Sequence, residues 1–249
     1  MFDFNLTGKN VLITGGSRGL GRSMALAFAE QGANVAICSR KIDSCLDTAK
    51  EIEAKGVKAF PYACHVANWD ELEPMVDAVE EALGPIDVLV NNAGMSPLYP
   101  SLDQVTEELF DKVIGVNLKG PFRLSAIVGT RMMAREGGSI ISISSTASLN
   151  ASPNAEPYGA AKAGLNALTK SLAYGFGPKV RVNCIIAGPF LTDISKAWDM
   201  EAFNERAENS IPLKRGGQPD EIVGAALYFA SDASAFTTAA LLPVDGGSH

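Results

Sequence analysis

The chain has 249 residues, 47% of them hydrophobic and 20% charged, with a formal net charge of −7 at pH 7. This composition is typical of an ordinary globular protein, and the acidic balance disfavours binding to nucleic-acid phosphates. No apolar run approaches the length that a bilayer requires, and the start MFDFNLTGKN lacks the basic region of a signal peptide. We therefore expect a cytoplasmic protein with no membrane or nucleic-acid partner.

Short apolar runs alternate with segments of helical periodicity along the whole chain. The predicted strands are residues 10–14, 34–38, 58–64, 86–90, 139–144, 180–186 and 240–244. The predicted helices are residues 20–31, 42–55, 70–83, 107–117, 121–135, 157–176 and 219–231. This alternation predicts a parallel sheet covered by helices on both faces. No linker or change of composition divides the chain, so we expect one domain spanning residues 1–249.

The cysteines and histidines argue against metal or disulfide chemistry. Three of the four cysteines lie in strand-like runs and none forms a C-x-x-C pair, which favours buried, reduced thiols. With two histidines, a histidine-based metal site or catalytic triad has little to build from, and we expect no metal. The residues concerned are Cys38, Cys45, Cys64, Cys184, His65 and His249.

A glycine-rich segment, TGGSRGLG at residues 14–21, separates the first predicted strand from the first helix. Glycines at such a turn let the backbone approach a pyrophosphate, and the helix N-terminus offers N–H groups to it. The spacing G-x-x-x-G-x-G differs from the general dinucleotide fingerprint and lacks the G-K-[ST] of a P-loop. The segment predicts a phosphate-binding turn; the alternative is a glycine-rich turn with no ligand.

Tyr158 and Lys162 lie four residues apart in a predicted helix, so they share one face of it. An ammonium one turn from a phenol favours the phenolate, and we expect the pKa of Tyr158 to be lowered. Such a phenol can donate or accept a proton near neutral pH. Taken alone, the pair could equally be a chance arrangement on a solvated helix face.

Together these motifs resemble those of the short-chain dehydrogenase/reductase family, and the resemblance extends over essentially the whole chain. It is similar to 3-oxoacyl-reductase-like and ketoreductase-like members. It implies a Rossmann-type doubly wound sheet of seven parallel strands, a nicotinamide cofactor and a homotetramer. The motifs are TGGSRGLG at 14–21, NNAG at 91–94, GVNLKG at 115–120, a serine thirteen residues before YGAAK at 158–162, VN at 182–183 and VDGG at 244–247.

The resemblance implies an active-site tetrad of Asn117, Ser145, Tyr158 and Lys162. In ketone reduction Tyr158 would donate a proton to the developing oxyanion, and Ser145 would hydrogen-bond the same oxygen. Lys162 would lower the Tyr158 pKa and hold the nicotinamide ribose, and Asn117 would hold a water that links Lys162 to solvent. Ser144 is a rival to Ser145, but the thirteen-residue spacing favours Ser145. Taken singly, Asn117 could be a helix C-cap and Ser145 a turn residue.

The end of the second strand predicts the cofactor, because an NAD enzyme tends to place an acid there. This chain has Ser39 and Arg40 instead, with Arg18 in the glycine turn, which favours NADP(H) over NAD(H). The alternative is that these arginines are surface charges. The residues expected to bind the cofactor are Gly15, Ser17, Arg18, Gly19, Leu20, Gly21, Ser39, Arg40, His65, Val66, Asn92, Ala93, Gly94, Tyr158, Lys162, Gly188, Phe190 and Thr192.

Two positions depart from the family pattern. The family commonly has Asp-Val after the third strand, where the aspartate meets the adenine amino group; here the pair is His65-Val66. A neutral imidazole could accept one hydrogen bond or stack, so we expect adenine binding to be altered and not lost. After the sixth strand the family usually reads P-G, whereas this chain reads AGP at 187–189. The contacts of segment 190–192 with the nicotinamide carboxamide are carried over.

The substrate is the least specified part of the prediction. A lid is expected at about 192–219, with walls from 95–100 and 149–156. The lid's apolar residues could close over the pocket or pack only on the core: Ile194, Trp198, Met200, Phe203 and Ile211. A mid-sized ketone or secondary alcohol with apolar character is expected. A 3-oxoacyl thioester on a carrier protein is the alternative, with Arg131 and Arg135 as a patch for an acidic partner.

The sequence therefore predicts an NADP(H)-dependent oxidoreductase that interconverts a ketone and a secondary alcohol by hydride transfer. One alternative is an NAD-dependent alcohol dehydrogenase acting oxidatively, because Tyr158 serves both directions. Another is a nucleotide-sensing protein of the same fold without catalysis. The intact set of Ser145, Tyr158 and Lys162 argues against the sensor.

Overall fold

A computed structural model of the chain describes residues 4–150, 153–193, 195 and 198–248. Adjacent strands are all parallel, in the order β3-β2-β1-β4-β5-β6-β7. The predicted Rossmann-type sheet of seven strands is thereby confirmed. The strands are β1 (Asn10–Thr14), β2 (Asn34–Ser39), β3 (Ala59–Ala63), β4 (Val88–Asn91), β5 (Gly138–Ser145), β6 (Val180–Ala187) and β7 (Leu241–Val244).

Helices cover both faces of this sheet. In the described residues none of them is both long and apolar enough to cross a membrane. The helices are α1 (Gly19–Glu30), α2 (Ile42–Glu53), α3 (Trp69–Leu83), α4 (Glu107–Ile114), α5 (Gly120–Met133), α6 (Glu156–Phe176), α7 (Met200–Ser210) and α8 (Val223–Ala230). A 3₁₀ turn, Pro219–Ile222, precedes α8 within the helix predicted at 219–231.

The hydrophobic core lies in two layers, one on each face of the sheet. In β1, Val11 and Ile13 are buried in one layer and Leu12 in the other, as the period of two along a strand requires. Strands covered on both faces appear in sequence as continuous apolar runs, which is why they are predicted well. β3, at the sheet edge, is only partly buried and contains Pro61, which an edge strand tolerates.

The predicted break between the helices at 107–117 and 121–135 is wrong. α4 and α5 are joined without interruption by a wide π turn, Gly115–Lys119, and Lys119 and Gly120 both have helical backbone angles. Pro121 lacks the N–H that a regular helix would use at that point, and the wide turn before it absorbs the irregularity. The π turn carries Asn117 and therefore positions a predicted site residue.

Arg131 and Arg135 do not form a free basic patch. Arg131 pairs with Asp77 at 2.6 Å and with Glu80 at 2.7 Å, and Arg135 pairs with Asp87 at 3.1 Å. Their charges are matched within the chain by acids of α3 and of the segment before β4. The alternative of an acidic-partner patch at these arginines is therefore contradicted.

The strand order reverses between β1 and β4, which opens a crevice at the carboxyl edge of the sheet, where ligands bind in folds of this kind. The four cysteines are free and buried. Among the described residues, no group of three or more His, Cys, Asp or Glu side chains is arranged to hold a metal ion.

Candidate active site

The glycine turn between β1 and α1 lies at this carboxyl edge. Gly15 and Gly19 have φ values of +66° and +52°, in the left-handed region that favours glycine. α1 begins at Gly19, and the Arg18 side chain that precedes it makes no capping hydrogen bond. The N–H groups of the first helical turn are therefore available to an anion. Ser17 and Leu20 lie in the same turn. The turn fits a dinucleotide pyrophosphate.

The turn is held closed by the start of the NNAG segment. The Asn92 amide donates to the carbonyls of Thr14 at 2.9 Å and Gly15 at 3.2 Å. The Thr14 hydroxyl accepts from the backbone N–H groups of Asn92 and Ala93, both at 3.0 Å. Sequence analysis missed Thr14; its position directly before the glycines was the only signal. These bonds fix the end of β4 against the end of β1.

Gly21→Ala is expected to destabilise the protein by about 1–3 kcal/mol and to weaken dinucleotide binding. A Cβ at Gly21 would lie 2.2 Å from the Gly15 carbonyl oxygen and 2.5 Å from the Asn92 amide nitrogen. Urea unfolding and a dinucleotide titration measure the two effects. The matched control is Gly175→Ala in α6, where nothing lies within 4 Å of the added methyl; it should be neutral or stabilising by about 0.5–1 kcal/mol. A Gly21→Ala protein as stable as wild type would contradict the close approach.

Lys162, Tyr158 and Asn117 are brought together beside the NNAG segment. The Lys162 ammonium is buried, donates to the Ile143 carbonyl at 2.7 Å, and lies 5.7 Å from the centre of the Tyr158 ring. A Cβ at Gly94 would lie 3.1 Å from Asn117 Oδ1 and 3.6 Å from Lys162 Nζ. Both polar atoms therefore border Gly94, where a side chain would obstruct them.

Asn117 is fully buried in the π turn and is not a helix C-cap. Its amide donates to the Val113 carbonyl at 2.9 Å and to the Met95 carbonyl at 2.8 Å. Its Oδ1 accepts from the Met95 N–H at 3.2 Å. Asn117 therefore ties the helix to the segment after β4, and its Oδ1 stays close to Lys162.

Ser145 ends β5, and its register places it beside Ala187 of β6. Its hydroxyl accepts from the Ala147 N–H at 3.2 Å and interacts with the Tyr158 phenol. The rival Ser144 is buried, and its hydroxyl donates to the Lys162 carbonyl at 3.2 Å. Because residues alternate across a strand, the two serines face opposite sides of the sheet. Ser145 is the serine that faces the phenol.

The expected lowering of the Tyr158 pKa is wrong for this structure. Burial raises the pKa of Tyr158, and the Ser145 hydroxyl offsets this only in part. Burial also lowers the pKa of Lys162 from 10.5 to about 8. The ammonium is bonded to the Ile143 carbonyl and not to the phenol, so it does little to favour the phenolate. The phenol therefore holds its proton at neutral pH.

The end of β2 carries no carboxylate. Arg18 and Arg40 are exposed, and among the described residues neither forms an ion pair. The Ser39 hydroxyl lies 3.0 Å from the Lys41 carbonyl and 3.1 Å from the Cys45 sulfur, so it is already engaged locally. The two guanidiniums, more than the serine, are free to contact an anion.

His65 follows β3, and its imidazole makes a local hydrogen bond. The Ala67 N–H donates to His65 Nδ1 at 3.2 Å. A neutral imidazole has one acceptor nitrogen, so Nε2 carries the proton. A neutral His65 therefore does not accept a hydrogen bond from adenine, and stacking on the base, the other expectation, stays a prediction. Val66, beside it, is 6% exposed and packs in the core under α3 and α5.

The segment after β6 turns back toward the glycine turn in spite of its AGP sequence. The Gly188 N–H donates to the Val244 carbonyl at 3.0 Å, and Phe190 is buried and bridges to Gly217. A Cβ at Gly19 would lie 3.5 Å from the Thr192 side chain. Gly188 leads the chain out of β6, and Thr192 borders the glycine turn.

The lid region contains α7, whose buried face packs locally. Phe203 and Ile211 form a small cluster with Trp198 and Leu191, and the rings of Trp198 and Phe203 are 5.1 Å apart. Most of the predicted apolar lid residues thus pack against one another, while Met200 is exposed. Ile194, also predicted for the lid, lies outside the described residues.

A contact between the two predicted walls was missed by sequence analysis. The Tyr99 hydroxyl donates to the Glu156 carboxylate and accepts from the Glu156 N–H at 3.0 Å. This pair links the segment after β4 to the start of α6, two residues before Tyr158. The two residues are fifty-seven positions apart, and no local sequence pattern predicts their contact.

Comparison with known proteins identifies the family of the chain. A model of the family described as enoyl-(acyl carrier protein) reductase matches residues 15–249. The chain is 39% identical to an L-rhamnose 1-dehydrogenase (NAD(P)(+)) of Azotobacter vinelandii, over 97% of each chain. It is 37% identical to a 3-oxoacyl-[acyl-carrier-protein] reductase of Thermotoga maritima, over 97% of this chain and 98% of the other.

A crystal structure of a short-chain type dehydrogenase/reductase from Mycobacterium marinum superposes on the chain with a TM-score of 0.92. The two are 34% identical, and the match covers 98% of this chain and 97% of the other. The fold, the site and these matches together define the class of protein: an oxidoreductase built on a dinucleotide-binding sheet. The chain belongs to the short-chain dehydrogenase/reductase family.

Proposed function

We propose that the protein is an NADP(H)-dependent oxidoreductase that interconverts a ketone and a secondary alcohol. The observation that carries the proposal is the convergence of Ser145, Tyr158, Lys162 and Asn117 at the carboxyl edge of the sheet, next to a glycine turn with an uncapped helix N-terminus. When bound, the nicotinamide ring supplies or accepts the hydride. The protein's own side chains bind the substrate oxygen and supply its proton.

The roles follow from the contacts of each group. Tyr158 donates its proton to the substrate oxygen as negative charge develops there, and Ser145 hydrogen-bonds the same oxygen. Lys162, next to Gly94, holds the nicotinamide ribose hydroxyls. Asn117 keeps its Oδ1 near Lys162 and holds the water through which protons return from solvent.

The protonated state of the Tyr158 phenol is the state that the reductive direction uses. A phenol whose pKa is raised keeps its proton at neutral pH and is ready to act as an acid. Oxidation of an alcohol needs the phenolate, which burial disfavours. The oxidative dehydrogenase is the second candidate, and the same four residues would serve it in reverse.

NADP(H) is the proposed cofactor because the end of β2 offers cations and no acid. Arg18, in the glycine turn, and Arg40, directly after β2, are both exposed, and in folds of this kind the end of β2 meets the adenosine ribose. Two guanidiniums suit a 2′-phosphate. The A. vinelandii relative is named for both cofactors, so the preference is a property to be measured on this chain.

Arg18→Ala and Arg40→Ala are each expected to weaken NADPH binding about tenfold, or about 1.4 kcal/mol, and to change NADH binding by less than about twofold. The reason is that each guanidinium contacts the 2′-phosphate, which NADH lacks. Fluorescence titrations with both nucleotides measure the effect.

Lys170→Ala is the matched control for these variants, because it removes an exposed cation from α6 at a distance from β2. It should leave both affinities unchanged. If the arginine variants lose NADPH and NADH affinity equally, the two arginines support the fold or bind the pyrophosphate that both nucleotides share. That outcome would contradict recognition of the 2′-phosphate.

The substrate class is a mid-sized ketone with apolar character. The lid at about 192–219, with α7 as its helix, and the segments joined by Tyr99 and Glu156 would enclose it. A 3-oxoacyl thioester is the alternative that the T. maritima relative supports. Oxidation of NADPH in the presence of a panel of ketones, including a 3-oxoacyl thioester, tests the function. If no compound of the panel causes NADPH to be oxidised, the nucleotide-sensing protein without catalysis becomes the better hypothesis.

We also infer a cytoplasmic homotetramer. An open apolar groove of about 490 Å³ lies between the π turn, α5 and α6, where two copies could pair. Phe236 and Leu242, near the last strand, are exposed and would serve a second interface. Four free, buried cysteines suit a reducing compartment. Light scattering that reports a monomer would overturn the tetramer. The groove is lined by Ile114, Leu118, Lys119, Phe122, Gly164, Ala167, Leu168 and Ser171.

A further inference from the structure

The order of the strands places His65 at the base-binding end of the crevice. The glycine turn follows β1, Ser39 ends β2, and His65 comes two residues after the end of β3. A dinucleotide whose pyrophosphate meets the glycine turn runs outward along this edge, with its adenosine ribose at β2. The Cys64 N–H donates to the Ser39 carbonyl at 2.9 Å, so the segment carrying His65 lies directly beside the ribose position.

The loop after β3 is held by its own hydrogen bonds. The Asn68 N–H donates to the His65 carbonyl at 2.8 Å, and the His65 N–H donates to the Glu71 carboxylate at 3.3 Å. The Asn68 amide donates to the other oxygen of Glu71 at 2.7 Å. The loop that carries His65 is therefore held in place by the start of α3.

The imidazole has one nitrogen left for a ligand. The Ala67 N–H donates to Nδ1 at 3.2 Å, so the neutral ring carries its proton on Nε2. In the described residues Nε2 makes no hydrogen bond, and the side chain is only partly buried. The ring therefore offers a ligand a donor and no acceptor.

On the proposed dinucleotide function, we propose that His65 binds the purine as a hydrogen-bond donor through Nε2, and that the site consequently accepts hypoxanthine in place of adenine. Adenine presents a donor at position 6, with acceptors at its ring nitrogens. Hypoxanthine presents an acceptor, the carbonyl oxygen, at position 6. An N–H donor finds an acceptor on either base.

A carboxylate at residue 65 would behave in the opposite way. It accepts from the 6-amino group of adenine, and against hypoxanthine it would face a carbonyl oxygen. A site built to bond an N–H rejects a ligand that lacks it, because a polar group is then left unpaired. Discrimination between the bases should therefore be weak in the wild type and should be created by His65→Asp.

The experiment is a set of fluorescence titrations with a reduced nicotinamide adenine dinucleotide and its hypoxanthine counterpart, using the 2′-phosphorylated pair or the unphosphorylated pair, whichever binds more tightly. The wild-type dissociation constants are expected to agree within about threefold. In His65→Asp, the hypoxanthine form should bind at least about tenfold less tightly than the adenine form. His65→Phe retains stacking but has no donor, so it should weaken both forms and leave their ratio unchanged.

The outcomes separate this inference from the proposed function. A wild-type preference for adenine above about tenfold contradicts it. So does a His65→Asp variant, shown to be folded by circular dichroism, whose ratio stays at the wild-type value. Saturable binding of the adenine form in either case leaves the dinucleotide function standing. If neither form binds the wild type, the proposed function fails, and this inference fails with it.

Discussion

Tyr158→Phe is expected to lower ketone-dependent NADPH oxidation by roughly two to four orders of magnitude while NADPH affinity stays within about twofold of wild type. The phenol carries its proton at neutral pH, since burial raises its pKa, and in the proposed mechanism it is the group that donates to the substrate oxygen. Removing one oxygen atom deletes the acid and leaves the aromatic ring. Steady-state kinetics and a parallel nucleotide titration measure the two quantities.

Tyr174→Phe is the matched control for this variant, because Tyr174 lies on the same helix and is 86% exposed. It should leave turnover unchanged. A Tyr158→Phe protein that keeps more than about a tenth of wild-type turnover would contradict the role of the phenol as the proton donor. The sensor alternative predicts a different result, with no ketone-dependent turnover in the wild type either.

Lys162→Met is expected to lower turnover by roughly two to four orders of magnitude and to stabilise the fold at pH 7. The ammonium is 3% exposed, and burial lowers its pKa from 10.5 to about 8. At pH 7 the folded protein therefore holds a charged group that burial disfavours, at a cost of at most about 3 kcal/mol. Loss of the hydrogen bond to the Ile143 carbonyl offsets part of the gain.

The pH dependence of this difference has a definite sign. Between pH 8 and 10.5 the unfolded chain binds more protons at Lys162 than the folded chain does, so the wild type gains stability from this group as the pH rises. Lys162→Met lacks that gain, and its advantage in the free energy of unfolding should shrink from pH 7 to pH 10. Urea unfolding at several pH values measures it, with exposed Lys170→Met as the control. A constant difference across this range would show that the Lys162 pKa is not lowered.

Sequence patterns predict the sheet well because its strands are buried on both faces. In β1 the residues at positions 11–13 are apolar in succession, and the two core layers account for all three of them. The same patterns do not predict that α4 and α5 are joined without interruption by a π turn. There a Cβ at Gly120 would lie 2.3 Å from the Val66 carbonyl, so the helix path depends on a packing partner distant in sequence.

The candidate site shows a similar limit. The spacing of Tyr158 and Lys162 places them on one helix face. It does not predict that the phenol is buried, or that the Ile143 carbonyl accepts a hydrogen bond from the Lys162 ammonium. The partners of Arg131 lie about fifty residues earlier, on α3. The His65 proton is fixed by a neighbour two residues away, yet only the folded loop brings that N–H to Nδ1. The sequence indicates which residue types the site contains, whereas their protonation states and their hydrogen-bond and ion-pair partners depend on the fold.

The most direct test of the central claim is a fluorescence titration of the purified protein with NADPH and NADH in parallel. The proposed function predicts saturable binding of NADPH, at least about tenfold tighter than that of NADH, because Arg18 and Arg40 have no ion-pair partner among the described residues and the end of β2 has no acid. Equal or tighter binding of NADH would contradict the choice of cofactor and bring the oxidative dehydrogenase forward. Absence of binding by both nucleotides would contradict the assignment of this crevice as a dinucleotide site.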